Sequence, residues 1–281
     1  MYRRRFSWGW NLTIWGTIII LLLWTLFPIY WMLSTSLKTN MDVFKLPPEF
    51  WPSHPTLDSY FNIFSGSSPI VRFFYNSFIT SVLTVLITIV LATLSGYALS
   101  RLKFRFREQI LVSVLITQMF PLVVMLAPLY ILYNKAHLLN TYTGMVIAFT
   151  SFALPFGIWM IKGFIDSVPV EIEEAAMVDG CSRLKAMWTV VLPLTLPGIV
   201  ATGIFAFLDA WNNLLFPLTL TNDIMMKTLP AGMVLVFTGV FKHEWSGMMA
   251  ASFISTLPVL ILFVLLQRYL VEGLTGGAVK G

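Results

Sequence analysis

Six apolar stretches, each about as long as the core of a lipid bilayer is thick, alternate with polar segments along the chain. A helix that crosses bilayer hydrocarbon needs about 20 mainly apolar residues. The stretches cover residues 12–33, 74–100, 109–133, 142–163, 194–220 and 249–270. This pattern predicts an all-α polytopic membrane protein with six transmembrane helices, in a single membrane domain over residues 1–281.

The composition agrees with a lipid environment. The 281 residues are 57% hydrophobic and 11% charged, whereas a soluble domain carries about a quarter charged residues. The net charge of +5 is typical of cations placed beside lipid head groups. We therefore expect membrane lipid, and no nucleic acid, among the partners. The single cysteine, Cys181, excludes an internal disulfide and a Cys/His metal cluster, so no metal site is predicted.

The first apolar stretch follows Arg3, Arg4 and Arg5, and it could be taken for a secretory signal. Its apolar core is too long for a signal peptide, and no small-residue cleavage site follows it. Five further apolar stretches come after it. We therefore expect it to be a retained first helix.

The distribution of lysine and arginine predicts the orientation in the membrane. If the N-terminus is inside, twelve cations lie on the inner side and six on the outer side. Residues 101–107 hold four cations in seven positions, and short loops of this kind weigh most in the positive-inside rule. The sequence therefore predicts that both termini and the loop 164–193 are cytoplasmic.

A polar segment, residues 166–193, separates the fourth and fifth stretches and holds five of the thirteen acidic residues. Pro169 suits a first helical turn, and three glutamates follow where negative charge favours a helix N-terminus. Gly180 should stop this helix. Ser182 should cap a second short helix that ends before Pro193. The segment should form two short helices that meet at a bend, with a small-residue surface that another protein can approach closely.

The same segment resembles a known motif, the EAA loop in permease subunits of ATP-binding-cassette importers. The matching residues are Glu174-Ala175-Ala176, then three residues, Gly180, nine residues, Val190, one residue and Leu192-Pro193. Valine stands where isoleucine is commoner in the motif. The alternative interpretation of these residues is an amphipathic cytoplasmic loop without a docking role.

The resemblance covers nearly the whole chain and is to the smaller, maltose-type permease of carbohydrate uptake. The matching pieces are Phe27-Pro28, Ser36-Leu37-Lys38, Asn76-Ser77, Gly96-Tyr97-Ala98-Leu99-Ser100-Arg101, Pro128-Leu129-Tyr130, Asn140-Thr141-Tyr142, Trp211-Asn212, Pro217-Leu218 and residues 273–281. The departures are Cys181, where a plain small residue is usual, and Asn213, where an acidic residue is common.

The resemblance implies a division of labour among subunits. The residues expected to couple the chain to an ATPase are Glu174, Ala175, Ala176, Asp179, Gly180, Leu192 and Pro193. The tail, through Gly277 and Lys280, is expected to touch the ATPase as well. The implied partners are two ATPase subunits per complex, a second, related permease and an extracytoplasmic solute-binding protein. The chain itself is expected to bind no cofactor, because its partners use the ATP, and to lie in a bacterial or archaeal cytoplasmic membrane.

The fifth stretch carries the clearest polarity inside the predicted membrane region. Asp209, Asn212 and Asn213 are spaced i, i+3, i+4 and should share a helix face, with Thr202, Phe205 and Phe216 on the same side. An unpaired carboxylate near mid-bilayer costs at least about 2.5–3.5 kcal/mol. Asp209 should therefore face a water-filled cavity or a partner. The face could line the path of a polyhydroxylated substrate, with Trp211 stacking on sugar rings, or it could form hydrogen bonds between helices. Gln118 is a further candidate for the path.

The second stretch carries small and hydroxyl-bearing residues at helical spacing. They are Asn76, Ser77, Thr80, Ser81, Thr84, Thr88, Ala92, Ser95 and Gly96. Such stripes are typical of close helix packing in membranes, and we expect this stripe to serve packing.

Moving a polar solute against a gradient needs energy, and the sequence offers no nucleotide site. The glycine-rich end, residues 276–281, lacks the spacing of a phosphate-binding loop. Energy should therefore enter through residues 166–193 from a separate ATPase. Together with the resemblance, this predicts a non-enzymatic permease subunit of an ATP-driven importer for a sugar or oligosaccharide. A secondary transporter, which usually has more spans and an inverted repeat, and a membrane-embedded enzyme remain alternatives.

Overall fold

The computed structural model describes residues 8–66, 68–238 and 244–278, which are built mainly from α-helices. These are α1 (Trp8–Ser36), α2 (Asp58–Phe64), α3 (Ile70–Arg101), α4 (Arg107–Ile116), α5 (Leu122–Lys135), α6 (Tyr142–Ser167) and α7 (Val170–Val178). They continue with α8 (Arg183–Ala186), α9 (Leu192–Leu194), α10 (Leu196–Asn212), α11 (Leu215–Leu220), α12 (Leu229–Phe237) and α13 (Trp245–Ala278). The all-α class predicted from the sequence is confirmed.

Within the described ranges, four helices are long and apolar enough to span a membrane. They are Leu12–Ser36, Ile70–Arg101, Tyr142–Ser167 and Trp245–Tyr269. Two further candidates are bent pairs: Arg107–Met119 with Leu122–Lys135, at 98°, and Arg183–Leu194 with Leu196–Asn212, at 76°. If each bent pair is one span, the count reaches six. The six-span topology therefore stays a prediction.

The bends have local causes. Phe120 is extended, with φ −74° and ψ 129°, because the residue before a proline is disfavoured in the helical region. Pro121 also lacks an N–H, so the helical path turns between α4 and α5. Thr195 interrupts the later pair, with φ −93° and ψ 5°, just before Leu196 and Pro197. A second break separates Asn212 from α11, so the predicted stretch 194–220 consists of several helical pieces.

The described residues form two compact units. One comprises the described residues up to Ile70 together with Leu235–Leu257, and the other comprises Val71–Val234 with the described residues from Pro258 onward. We call them the outer-loop unit and the core unit. The prediction of one membrane domain over residues 1–281 concerns the whole chain and stays a prediction.

In the outer-loop unit, the segment after α1 folds back onto the end of that helix. The Ser34 and Tyr30 hydroxyls donate to the Phe50 carbonyl, at 2.5 and 3.0 Å. The buried Lys38 ammonium donates to the Glu49 carbonyl at 2.5 Å and lies 4.8 Å from the centre of the Trp31 ring. These bonds satisfy polar groups that the loop would otherwise leave unpaired.

In the core unit, α3, α6 and α10 pack closely through small side chains. Thr80, Ser81, Thr84 and Thr88 on α3 are fully buried. A Cβ added to Gly157 of α6 would lie 3.3 Å from methyl groups on the other two helices, α3 and α10. Those methyl groups belong to Thr88, Ala92 and Thr202. The burial of the stripe confirms that it serves packing.

Asn76 joins three parts of the core unit at the first turns of α3. Its amide nitrogen donates to the carbonyls of Met225 and Lys227, both at 2.8 Å, and its amide oxygen accepts from the Tyr142 hydroxyl at 2.6 Å. The neighbouring Ser77 hydroxyl accepts from the Leu229 N–H at 2.7 Å. We call this cluster the outer joint. It connects α3, α6 and the segment before α12.

Lys227 closes the C-terminal end of α11. Its ammonium donates to the carbonyls of Pro217 at 3.2 Å, Leu218 at 3.3 Å and Thr221. A cation at this end complements the helix dipole and satisfies carbonyls that the helix leaves unpaired. Burial lowers the pKa of Lys227 below its usual range. The hydrogen bonds to the three carbonyls partly replace the hydrogen bonds to water that the ammonium loses on burial.

We predict that Asn76→Ala lowers the stability of the purified protein. The substitution removes the partner of the buried Lys227 carbonyl and of the part-buried Met225 carbonyl and Tyr142 hydroxyl. A buried polar group left unpaired costs about 1–3 kcal/mol. Thermal unfolding in detergent should show a clear decrease in the midpoint. Asn134→Ala, on the exposed side of α5, is the matched control and should stay within about 0.5 kcal/mol of the parent. Equal unfolding midpoints for the two variants would contradict a stabilising role of the outer joint.

Candidate functional site

The polar segment after α6 forms a helix, a bend and a second helix, as the sequence predicts. Pro169 is the N-cap of α7, with φ −55° and ψ 133°, and thus lies one position before the first helical turn. Glu171 and Glu173 lie in that first turn, where negative charge complements the helix dipole. We call residues 169–194 the elbow.

The bend of the elbow depends on Gly180. Its φ is +91°, a conformation that side chains disfavour and glycine adopts freely. The N–H groups of Asp179, Gly180 and Cys181 donate back to carbonyls of α7 at 3.0–3.1 Å, which closes the helix end. The Ser182 hydroxyl then accepts from the Lys185 N–H at 3.4 Å and caps α8.

The second helical part of the elbow is longer than predicted. The expectation that it ends before Pro193 is wrong, because the helical path continues to Leu194. A proline in a helix has no N–H and crowds the carbonyl four residues earlier. The wider π turn at Met187–Val191 precedes Pro193 and makes room for its ring.

Most of the predicted coupling residues lie on the surface of the elbow. Glu174, Ala175, Asp179, Gly180 and Pro193 are exposed, and Ala176 is half-buried. Leu192 is buried and belongs to the apolar core with α3 and α6.

Large apolar side chains are exposed beside these small and acidic residues. Val178 is 87% exposed, Leu184 66% and Trp188 62%. Exposed large apolar side chains on a polar segment are typical of a protein interaction site. The exposed small residues Ala175 and Gly180 allow close approach of another backbone.

A buried charged cluster beneath the elbow is absent from the sequence-based predictions. The Arg101 Nε donates to the Glu173 carboxylate at 2.9 Å, and the Tyr97 hydroxyl donates to the same carboxylate. Both Arg101 and Glu173 are buried. Arg101 also donates to the carbonyls of Ile165 at 3.0 Å and Val168 at 2.7 Å. We call these groups the inner joint.

The sequence carried only part of the signal for this cluster. Tyr97 and Arg101 are spaced i, i+4 and therefore share one face of α3. Glu173 looks the same in sequence as its exposed neighbours Glu171 and Glu174. Its burial depends on the packing of α7 against α3, which no local pattern reveals.

The structure brings the three polar residues of the fifth stretch to one cavity of about 430 Å³. Asp209 and Asn212 come from the last turn of α10. Asn213 is extended, with φ −69° and ψ 122°, and its side-chain oxygen accepts from the Phe216 N–H at 3.1 Å. The three residues thus meet across a helix break, although their spacing suggested one continuous face. The rest of the lining consists of Leu122, Phe205, Leu208, Leu214 and Leu215.

Other residues predicted to lie along the path pack elsewhere. Trp211 is buried, stacks on Phe207 at 5.4 Å between ring centres and meets Phe74 edge-on at 5.4 Å. Thr202 is buried, and its hydroxyl donates to the Gly198 carbonyl at 2.8 Å. The structure therefore places these side chains in helix packing, outside the cavity lining.

Phe216 and Gln118 also lie apart from the cavity. Phe216 is fully buried and packs edge-on against Phe152, with 4.9 Å between ring centres. The Gln118 amide donates to the Phe152 carbonyl at 2.6 Å. Phe216 belongs to α11 rather than α10, which explains why helical spacing misplaced it.

The residues of the tail that are predicted to contact an ATPase lie at the end of the described chain. Gly277 lies in the last turns of α13. Lys280 lies outside the described residues, as do Arg3, Arg4 and Arg5.

These features define a class, the polytopic all-α membrane proteins. The family profile described as "Binding-protein-dependent transport system inner membrane component" matches residues 85–276. The chain is 39% identical over 262 residues to the sulfoquinovosyl glycerol transport system permease protein SmoH of Agrobacterium fabrum, covering 93% of this chain and 91% of that one. It is 37% identical over 265 residues to the diacetylchitobiose uptake system permease protein DasC of Streptomyces coelicolor, covering 94% and 95%.

The fold has a solved counterpart. The structure matches a chain from a bacterial ABC transporter involved in the import of the acidic polysaccharide alginate, with a TM-score of 0.79, 19% identity and coverage of 96% of this chain and 99% of that one. The chain belongs to the family of inner membrane components of binding-protein-dependent transport systems. It is a transport permease subunit and not an enzyme.

We predict that Gly180→Asp leaves the protein in the membrane but abolishes transport. The change forces a side chain into a φ of +91° and adds charge to the surface that should contact an ATPase. Solute uptake by membrane vesicles, normalised to the amount of inserted protein, measures the effect. Gly180→Asn, which tolerates positive φ better and adds no charge, separates backbone strain from charge. Normal uptake by Gly180→Asp would contradict a role of the bend in coupling.

Proposed function

We propose that this chain forms half of the translocation pathway of an ATP-driven importer for a sugar or oligosaccharide. The observation that carries the proposal is the elbow, a solvent-exposed helix–bend–helix in a chain of this family. The relatives SmoH and DasC are named for sulfoquinovosyl glycerol and diacetylchitobiose, two solutes that contain sugar units. Family membership favours this function over an ion-driven secondary transporter.

The proposal gives the chain four kinds of partner. Two ATPase subunits supply energy, a second, related permease completes the pathway, and an extracytoplasmic solute-binding protein delivers the solute. The family description, which names binding-protein dependence, supports the last of these. Membrane lipid surrounds the spans. The chain binds no cofactor of its own in this proposal, because its partners bind and hydrolyse the ATP.

The elbow faces the cytoplasm in this proposal, as do both termini. The support is the charge pattern, with four cations in residues 101–107 at the same end of α3 as the inner joint. The membrane is then the cytoplasmic membrane of a bacterium or archaeon. With this orientation, the exposed Ala175 and Gly180 meet the ATPase side of the membrane.

Coupling follows from the physical properties of the elbow. Small residues at its surface allow close contact, and exposed Val178, Leu184 and Trp188 supply apolar area that a partner can bury. When ATP draws two ATPase subunits together, the elbow is displaced with them. The spans attached to it then tilt and open the cavity alternately to each side of the membrane.

The polar cavity is the proposed contact with the solute. Among the described residues, the Asp209 carboxylate and the Asn212 amide have no hydrogen-bond partner, so packing within this chain does not explain them. A carboxylate accepts hydrogen bonds from hydroxyl groups, and an amide both donates and accepts. These groups suit a solute with many hydroxyls, and Phe205 beside them can pack against the apolar face of a sugar ring.

We predict that Asp209→Asn changes uptake without changing assembly. Asparagine keeps the shape but loses the charge, and a hydrogen bond to a charged group contributes about 1.5–3 kcal/mol. The KM for uptake should therefore rise roughly tenfold, or the preference among sugars should shift. Asp58→Asn, on the exposed surface of α2, is the matched control. Uptake kinetics identical to the parent for a panel of sugars would favour a packing role for Asp209.

A further inference from the structure

We propose that Tyr97, Arg101 and Glu173 form a rigid joint through which the elbow moves α3 and α6 together. In this role they are positioning residues: they touch neither solute nor ATPase, and they determine how fully displacement of the elbow reaches the spans. The inference rests on the proposed function, because it concerns the same elbow.

Arg101 is the centre of the joint because it contacts three elements. It is the last residue of α3, its Nε binds Glu173 of α7 at 2.9 Å, and its Nη2 binds the carbonyls of Ile165 and Val168 at 3.0 and 2.7 Å. Those carbonyls lie at the C-terminal end of α6, where a cation complements the helix dipole. The planar guanidinium therefore holds the ends of two spans and the first turn of the elbow at once.

Burial makes this connection resistant to separation. The side chains of Arg101 and Glu173 are 6% and 3% exposed. Water therefore has little access to solvate the two charges when the side chains separate. The other carboxylate oxygen of Glu173 accepts from the Tyr97 hydroxyl, so both of its oxygens are occupied. Separating a buried pair leaves uncompensated charge, and movement of α7 alone is therefore opposed.

A second, more exposed contact lies beside the buried one. The Ser100 hydroxyl donates to the Asp166 carboxylate at 2.5 Å, and the Lys162 ammonium donates to the same carboxylate at 2.6 Å. One turn earlier, a Cβ added to Gly96 would lie 3.1 Å from the Lys162 backbone nitrogen. The backbones of α3 and α6 thus nearly touch next to the joint, which leaves little room for relative sliding.

Two adjacent glutamates have different surroundings in this arrangement. Glu174 is exposed on the surface of the elbow, and Glu173 points inward to Arg101 and Tyr97. One residue is therefore available to a partner protein, and its neighbour transmits the resulting displacement.

The test uses the complete transporter in proteoliposomes, with solute uptake and ATP hydrolysis measured on the same sample. Arg101→Lys keeps the charge but loses the planar fork that reaches a carboxylate and two carbonyls together. We expect ATP hydrolysis to continue while solute moved per ATP falls roughly fivefold or more. The matched control is Arg107→Lys, at a half-exposed arginine whose guanidinium lies 4.0 Å from the Glu108 carboxylate.

A double variant tests whether the residues act as one unit. If Arg101 and Glu173 act through one joint, Arg101→Lys with Glu173→Gln should lose no more solute per ATP than the worse single variant. If the losses in solute moved per ATP add in the double variant, the proposal that the two residues act through one joint is wrong. If Arg101→Lys fails to assemble, Tyr97→Phe, which removes a single hydroxyl, should still lower the ratio.

The outcomes separate the joint from the proposed function. Solute per ATP equal to the parent in assembled Arg101→Lys or Tyr97→Phe would overturn the joint and leave the importer intact. A merely structural role would lower the yield or melting temperature of the complex without changing this ratio. Absence of ATP-dependent uptake by the parent complex, for all sugars tested, would instead overturn the proposed function.

Discussion

The ion pair between Arg101 and Glu173 is the interaction on which the arrangement of this permease depends. Hydrocarbon offers no partner to a polar group, so a membrane protein must satisfy its buried polar groups internally. At the end of α3 the chain does this with one guanidinium, one carboxylate, one phenol and two carbonyls. The polar first turn of the elbow is thereby fixed to α3 and α6, in addition to the apolar packing of Leu192 against the same helices.

The same physical solution appears at the other end of α3. Asn76 satisfies two carbonyls and accepts from Tyr142 at the start of α6. The helices α3 and α6 are thus tied by polar joints at both ends, and between the joints they pack through small residues such as Thr88 and Gly157. We infer that these two helices act as a stiff pair, which suits a subunit that converts displacement at one end into tilting of its spans.

Much of this architecture could be predicted from local sequence. The long apolar stretches predicted membrane helices because the bilayer sets their length. Proline, glycine and serine at positions 169, 180 and 182 predicted the elbow because capping is a local interaction. The three polar residues Asp209, Asn212 and Asn213 were correctly expected to lie close together, and the structure places them at one cavity.

The remaining features depend on tertiary contacts that local patterns do not encode. Hydropathy measures length and not direction, so it could not show that α4 and α5 meet at 98°. Pro28, Pro155 and Pro258 lie inside continuous helices, whereas Pro121 stands at a bend, and their sequence surroundings are equally apolar. Glu173 could not be distinguished from its exposed neighbours, because its burial is decided by Arg101, which lies 72 positions away in the chain.

We propose that energy enters this subunit at the elbow from a separate ATPase. The most direct test places a photoreactive amino acid at Ala176 in native membrane vesicles and identifies the crosslinked protein by mass spectrometry. We expect a crosslink to a nucleotide-hydrolysing subunit whose yield changes when ATP is added. Crosslinks to lipid alone, in vesicles that still import the solute, would contradict it.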